Sequence, residues 1–396
     1  MGPRPRFDIG EIVRRFRPAL EARHRLAPGQ KKVLTAIARC RTAALGGHKL
    51  VCEHGDFEQI SYNSCRDRHC PKCQALAQEK WIAARSRRIL PIGHFHVVFT
   101  LPAELRILAR LKPAVVYQAL LRAAADTLLA LGKTRKGLTF GLTLILHTWT
   151  RELAFHPHVH VLVSAGGLAL NGDIFIRLKH RYLFPGTMLG SVFRGKVLAA
   201  LGAHRDGDGF PELEGAAYGR LVASVADKDW VVHVKKPFRK STHVIQYLGR
   251  YTHRVGIANS RLLEVTDEQV TFRTKFGRTA TLEPVEFLAR LVQHVLPPGF
   301  RKIRHAGLYA SAQPKGLLEQ ARQALGDAKV KLPDSPVAWL IVSKSGSRDT
   351  NAGLVVTIAR NPIYGLEQAR SGRGPQRSGY GEIAVGRPPW VGRMAW

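Results

Sequence analysis

All five cysteines of this 396-residue chain fall within one short stretch, from Cys40 to Cys73. That clustering constrains the fold more than any other feature. In order, the stretch carries Cys40, Cys52-Glu53-His54, Cys65 and His69-Cys70-Pro71-Lys72-Cys73. The segment is too polar to bury thiols as small hydrophobes, and thiolates at this density suit a tetrahedral Zn2+. Cys70 and Cys73 form a two-residue-spaced knuckle that lets both sulfurs reach one ion. The best single ligand set is Cys52, His54, Cys70 and Cys73. Cys40, Cys65 and His69 make an incomplete second zinc set, with His48 as a candidate to complete it. Arg66, Arg68 and Lys72 lie inside the cluster, as a solvated face or as phosphate contacts on a metal-stiffened loop.

Charge narrows the partners. Lys and Arg total 61 against 29 Asp and Glu, a formal net charge of +32. A chain this basic is built to meet a polyanion, with nucleic acid the first candidate. No apolar run approaches the ~20 residues that a membrane-crossing helix needs. The first residues lack the apolar centre of a signal peptide, so a cytoplasmic location is expected, with nucleoid association when DNA is bound.

Periodicity predicts a basic helical region over residues 7–37 and an amphipathic helix from Leu76 to Leu90, with Arg85, Arg87 and Arg88 outward. Strands are expected at His94–Thr100, Leu138–Trp149, His156–Leu168 and Trp230–Phe238, with two or three short ones between Val255 and Leu282. Helices are expected after Pro102, after Ser241 or Thr242, and at Val285–Val295. Residues 170–225 are poorly patterned. Beyond about Asp334 the chain turns rich in Gly, Pro, Ser and Arg, and a flexible end is expected.

Two constellations carry chemistry. His158-Val159-His160 lies on a predicted strand, where alternation puts both imidazoles on one face. Together they can hold a divalent cation, Mg2+ or Mn2+, that polarises a phosphate. His147 ends the preceding strand, and a hairpin would bring it alongside as third ligand. His156, His243 and Gln246 compete for that place. His94-Phe95-His96 is a second triplet of the same form. The other constellation is Tyr247-Leu-Gly-Arg-Tyr251 on a predicted helix. Four-residue spacing puts both phenols on one face with Arg250 and Arg254. A phenol is a weak nucleophile at neutral pH, and flanking guanidiniums favour its phenolate while gripping phosphate oxygens.

Four strings, Tyr62–Gln74, His156–Leu168, Tyr247–Leu262 and Gly299–Ala310, occur in an order and spacing that resemble the two-tyrosine HUH transposases of IS91-type insertion sequences. The resemblance covers roughly residues 20–315. It implies an α+β chain: a small helical zinc-binding domain, then an HUH endonuclease domain with a central antiparallel sheet flanked by helices. It places the catalytic cation on His158 and His160 and the nucleophiles at Tyr247 and Tyr251. The chain departs from the family pattern at Gly55, where relatives carry a cysteine; His54 therefore enters the ligand set above. The expected division is residues 1–92 for zinc and DNA recognition, 93–315 for catalysis and 316–396 for a diverged basic tail. The implied activity is nicking and joining of single-stranded DNA through 5′-phosphotyrosine links in rolling-circle transposition, with single-stranded and element-end DNA as partners. A replication initiator or relaxase would use the same chemistry. A non-enzymatic zinc regulator of DNA would need neither the histidine strand nor the tyrosines.

Overall fold

The computed structural model describes residues 5–52, 58–178, 183–207, 209–210, 213, 215–238, 249, 256–310, 316–326 and 354–358. Its centre is an antiparallel sheet built from the strands that alternation predicts. These are β3 (His94–Thr100), β4 (Leu138–Trp149), β5 (Phe155–Ala169) and β7 (Val232–Phe238). The edge strand β11 (Ile303–Gly307) completes the order β11-β4-β5-β3-β7, and the short β6 (Phe175–Arg177) pairs with β5.

Alternation gives the sheet two unlike faces. Phe95, Val97 and Phe99 of β3, Leu142, Leu144 and Leu146 of β4, and Val159, Val161 and Val163 of β5 point into the largest core. Helices α4 (Arg106–Leu111), α5 (Pro113–Leu131), α6 (Gly186–Asp206) and α7 (Gly215–Ala226) supply residues to that core. With its continuation to Lys136, α5 is long and apolar enough to cross a membrane, but its apolar side is spent here: Val116, Leu120, Leu121, Ala124 and Leu128 are buried. The predicted disorder of pattern over 170–225 resolves into α6 and α7.

The N-terminal region folds as α1 (Ile9–Arg23) and α2 (Pro28–Arg39), then the hairpin β1 (Gly47–Cys52) and β2 (Glu58–Tyr62), then α3 (Gln74–Ser86). Asp8 caps α1 by accepting from the Gly10 N–H, and Pro28 starts α2. The buried sides of α1 and α2 do not close on each other alone. Ile9, Ile12, Val13, Leu34 and Ile37 share one core with Leu262, Val270 and Phe272 of a small sheet and with Val285, Phe287 and Leu288. That sheet is β8 (Leu262–Val265), β9 (Val270–Arg273) and β10 (Thr279–Leu282); the last three residues belong to α8 (Pro284–Val292). Polar ties cross the same junction: the Ile9 N–H donates to Asn259, Gln30 to the Val292 carbonyl, and Arg23 pairs with Glu283 at 2.6 Å. Helices α1 and α2, the cysteines around the knuckle and the stretch from Ile257 to Val292 therefore share one core.

Two pieces of the expected tail have structure. Helix α9 (Leu317–Gln323) packs its Leu317 and Leu318 against a third core, and β12 (Leu354–Ile358) pairs with β1.

Candidate active site

The second face of the sheet is polar, and the register explains how. In the β4–β5 ladder His147 stands opposite His158. His160 follows two residues on, so the three imidazoles share one face. Their ligand nitrogens all lie within 4.8 Å of one another. The Nε2 atoms of His158 and His160 are 3.1 Å apart, a separation that suits two imidazoles on one cation at ~2.1 Å each. His158 donates its Nδ1–H to the His156 carbonyl at 2.7 Å, which leaves Nε2 as the lone-pair nitrogen. His158 and His160 keep part of their surface open, yet their rings sit deep. Burial draws His158 down to about 4 and His160 well below its usual value, with neighbouring histidines repelling a second charge. Both rings are thus neutral at pH 7, the state in which imidazole binds metal. The donor set fits a divalent cation.

The competing third ligand is otherwise engaged. His156 Nδ1 lies 2.9 Å from an Arg106 Nη. His243 and Gln246 lie outside the described residues.

The second triplet splits its roles. His94 is a core residue, bonded through Nδ1 to the Ile92 carbonyl and through Nε2 to the Tyr309 hydroxyl. His96 reaches across from β3, and its Nε2 is 2.8 Å from His160 Nδ1. For His160 to present Nε2 to a cation, its Nδ1 must carry the proton and donate it to His96, which fixes both tautomers. Sequence reading had no role for His96. Its signal was period two on the neighbouring strand, which means something only once β3 is known to lie beside β5.

Tyr247, Arg250, Tyr251 and Arg254 lie outside the described residues. Within their segment Gly249 is described: it is helical and buried against α3. A Cβ there would stand 2.3 Å from Ile82 Cδ1. Gly249 itself thus packs against the helix that follows the zinc knuckle.

The cysteine cluster corrects the sequence reading. Cys40, Cys65, Cys70 and Cys73 bring their sulfurs within 4.8 Å of one another. The Cys40–Cys73 and Cys65–Cys73 sulfur distances are 3.1 and 3.5 Å, near the ~3.8 Å edge of a tetrahedron with ~2.3 Å Zn–S bonds. Burial pushes the Cys65 thiol up to about 12 and the Cys70 thiol higher still, with the neighbouring sulfurs adding to the effect, so holding all four as thiolates calls for a cation. Cys40 and Cys65 thus stand where Cys52 and His54 were expected. Cys52 ends β1, and His54 lies outside the described residues. The second zinc set dissolves too, because His69 is fully used. Its Nδ1 faces Asp67 at 3.1 Å and its Nε2 accepts the Leu296 N–H. His48 sits on β1. Arg68 and Lys72 are engaged within the protein: Arg68 donates to the Pro297 and Phe300 carbonyls, and Lys72 pairs with Asp8 at 2.6 Å. A linear pattern could not choose among seven donors; the return of the α2 C-terminus onto the knuckle did.

A four-cysteine cluster joined to an antiparallel sheet that carries three clustered imidazoles, on a strongly basic chain, is the make-up of a metal-binding protein that meets a polyanion. Comparison with known proteins gives the family. Residues 12–101 match the family described as "Transposase zinc-binding domain" and residues 141–316 the family described as "Putative transposase". The chain is 39% identical over 335 residues to the "Putative transposase y4qJ" of Sinorhizobium fredii, covering 81% of this chain and 84% of that one. It is 30% identical over 315 residues to the "Transposase for insertion sequence element IS801" of Pseudomonas savastanoi pv. phaseolicola, covering 74% and 73%. No solved structure matches. The chain belongs to the IS91-type transposases with an N-terminal zinc-binding domain.

Proposed function

We propose that this transposase nicks and rejoins single-stranded DNA on the histidine face of its sheet, with Tyr247 and Tyr251 as nucleophiles. The observation that carries the reading is the convergence of His147, His158 and His160 on one face of the sheet, with His158 and His160 held neutral by burial and His160 backed by His96. These three residues would hold Mg2+ or Mn2+, which supplies charge stabilisation at a phosphodiester when bound. The phenolate oxygen of one tyrosine attacks phosphorus, the bond to the 3′ oxygen breaks, and that oxygen leaves with a proton as a 3′ hydroxyl. The 5′ phosphate stays on the tyrosine, so its bond energy is kept for rejoining to another 3′ hydroxyl. Arg250 and Arg254, on the same predicted helix face, hold the phosphate oxygens and lower the phenol pKa. The second tyrosine permits a second cleavage before the first link is resolved.

In the N-terminal module Cys40, Cys65, Cys70 and Cys73 hold a structural Zn2+, and the module contributes to recognition of element-end DNA. The test is incubation with end-labelled single-stranded DNA and Mn2+ or Mg2+, followed by a denaturing gel. The expected result is a covalent adduct that His158→Ala with His160→Ala abolishes and that the Tyr247→Phe, Tyr251→Phe double variant cannot form. Peptide mapping of the adduct to any other residue overturns the assignment.

A further inference from the structure

Along the sheet from the histidines lie two arginines, Arg85 and Arg88, that the nicking scheme does not use. Arg85 sits in the last turn of α3, where a cation commonly satisfies terminal carbonyls. Here it does not: its Nε and Nη1 atoms are closed off from solvent and, among the described residues, have no hydrogen-bond partner. Among the described residues neither Arg85 nor its neighbour Arg88 is in an ion pair. Buried guanidinium donors without acceptors are costly and need an explanation.

Their position supplies one. The turn after α3 is pinned to the sheet, since Ile89 and Leu90 share a core with Ile145, Leu162 and Tyr309. Ile145 precedes His147 by two residues and Leu162 follows His160 by two. This plug therefore abuts the histidine cluster on the same face, ~7 Å along each strand. His305 of β11 stands opposite Thr143, and its Nδ1 is 3.1 Å from the Thr143 hydroxyl. That is four residues, ~13 Å, along the face from His147. Burial draws His305 down to about 3, and the charges of Arg85 and Arg88 act in the same direction.

We propose that Arg85 and Arg88, beside His305, form an anion subsite for a non-scissile phosphate of the bound strand. The identity of the anion rests on the single-stranded DNA reading above; the unpaired arginines do not. Arg85 is partly exposed as a residue, and a phosphate at the open edge of its guanidinium would supply an acceptor and neutralise the paired cations. It would also fix the strand at a second point along the sheet, so that the scissile bond meets the histidines in register.

The experiment uses the full-length zinc-loaded chain and a fluorescent single-stranded oligonucleotide, with binding followed by anisotropy over a chloride series. Arg85→Gln is expected to weaken binding and to flatten the slope of log K against log salt by about 0.7, the share of one phosphate contact on a single strand. Arg85→Gln with Arg88→Gln should flatten it further. In parallel, inorganic phosphate should raise the thermal midpoint of the wild type above that in chloride of equal ionic strength, and should not do so for Arg85→Gln. The variant itself should melt no lower than wild type, because removing an unpaired buried cation relieves a cost. An unchanged slope, or a variant that melts lower with no Arg85-dependent phosphate effect, overturns the subsite. Arg85-dependent binding by a wild type that forms no tyrosine adduct supports the subsite while overturning the nicking reading.

Discussion

At the scale of single residues, the histidines divide by what surrounds their nitrogens. His94 and His294 are wholly enclosed, and burial draws each down to about 4. His294 donates Nε2–H to the Leu153 carbonyl and accepts at Nδ1 from the Thr148 hydroxyl. An unfolded histidine titrates near pH ~6.5. Between that pH and about 4 the unfolded chain takes up protons that the folded chain refuses. Stability is therefore full above pH ~6.5 and falls as pH drops toward 4, by on the order of 3 kcal/mol per ring at the limit. Urea unfolding at pH 7.5, 6 and 5 should give steadily lower midpoints; a flat series would mean that these rings are not held neutral. His96 acts through His160, so His96→Gln should weaken Mn2+ binding about 10–100-fold with the sheet intact. Calorimetric titration of Mn2+ into the variant measures this, and wild-type affinity would remove His96 from the metal's support.

At the scale of elements, close approach explains what periodicity missed. Helix α6 contains Gly186, Gly190, Gly195 and Gly202, which dilute its amphipathic pattern. Gly190 is there for contact: a Cβ would lie 2.4 Å from the Trp230 carbonyl oxygen at the entry to β7. Gly249 makes the corresponding approach to Ile82 on α3. In an exposed helix Gly→Ala gains about 1 kcal/mol. Here Gly249→Ala should instead cost roughly 1–3 kcal/mol by overpacking and reduce adduct formation, and adding Ile82→Ala should restore both. Thermal melts and the adduct gel read the two effects. If Gly249→Ala is neutral, the tyrosine segment does not depend on α3 for its seat.

At the scale of the molecule, the zinc module is joined to the rest of the chain by a shared core. The knuckle is tied through Arg68 and His69 to the chain at Leu296–Phe300, just ahead of β11. The thiolate cluster thus sits at one end of a chain of contacts that reaches both the edge of the sheet and, through α3, the seat of Gly249. The purified protein should retain one zinc after dialysis, and Cys70→Ser should lose it. Because the core of α1 and α2 extends to α8, zinc loss should lower the cooperative melting of the whole body and not release a separate N-terminal transition. Calorimetry with elemental analysis tests this, and two zinc ions in the wild type would restore the two-site alternative.

Much of this was legible in the sequence because the signals are local. Strands β3 and β4 fall where alternation predicts them, and the triplet spacing alone puts His158 and His160 on one face. The polarity of a cysteine-dense segment announces metal, and net charge announces a polyanion. What the sequence left open is every choice that depends on which distant segments meet. Cys40 and Cys65 displaced Cys52 and His54 because the end of α2 folds back on the knuckle. His147, the expected third ligand, stands opposite His158 through the β4–β5 register, while its competitor His156 is engaged by Arg106. His96 gained a role because β3 pairs with β5. Spacing fixes which side chains share a face, since backbone geometry is periodic. Only tertiary packing decides which faces and loops come together, because that choice is made by the burial of whole surfaces.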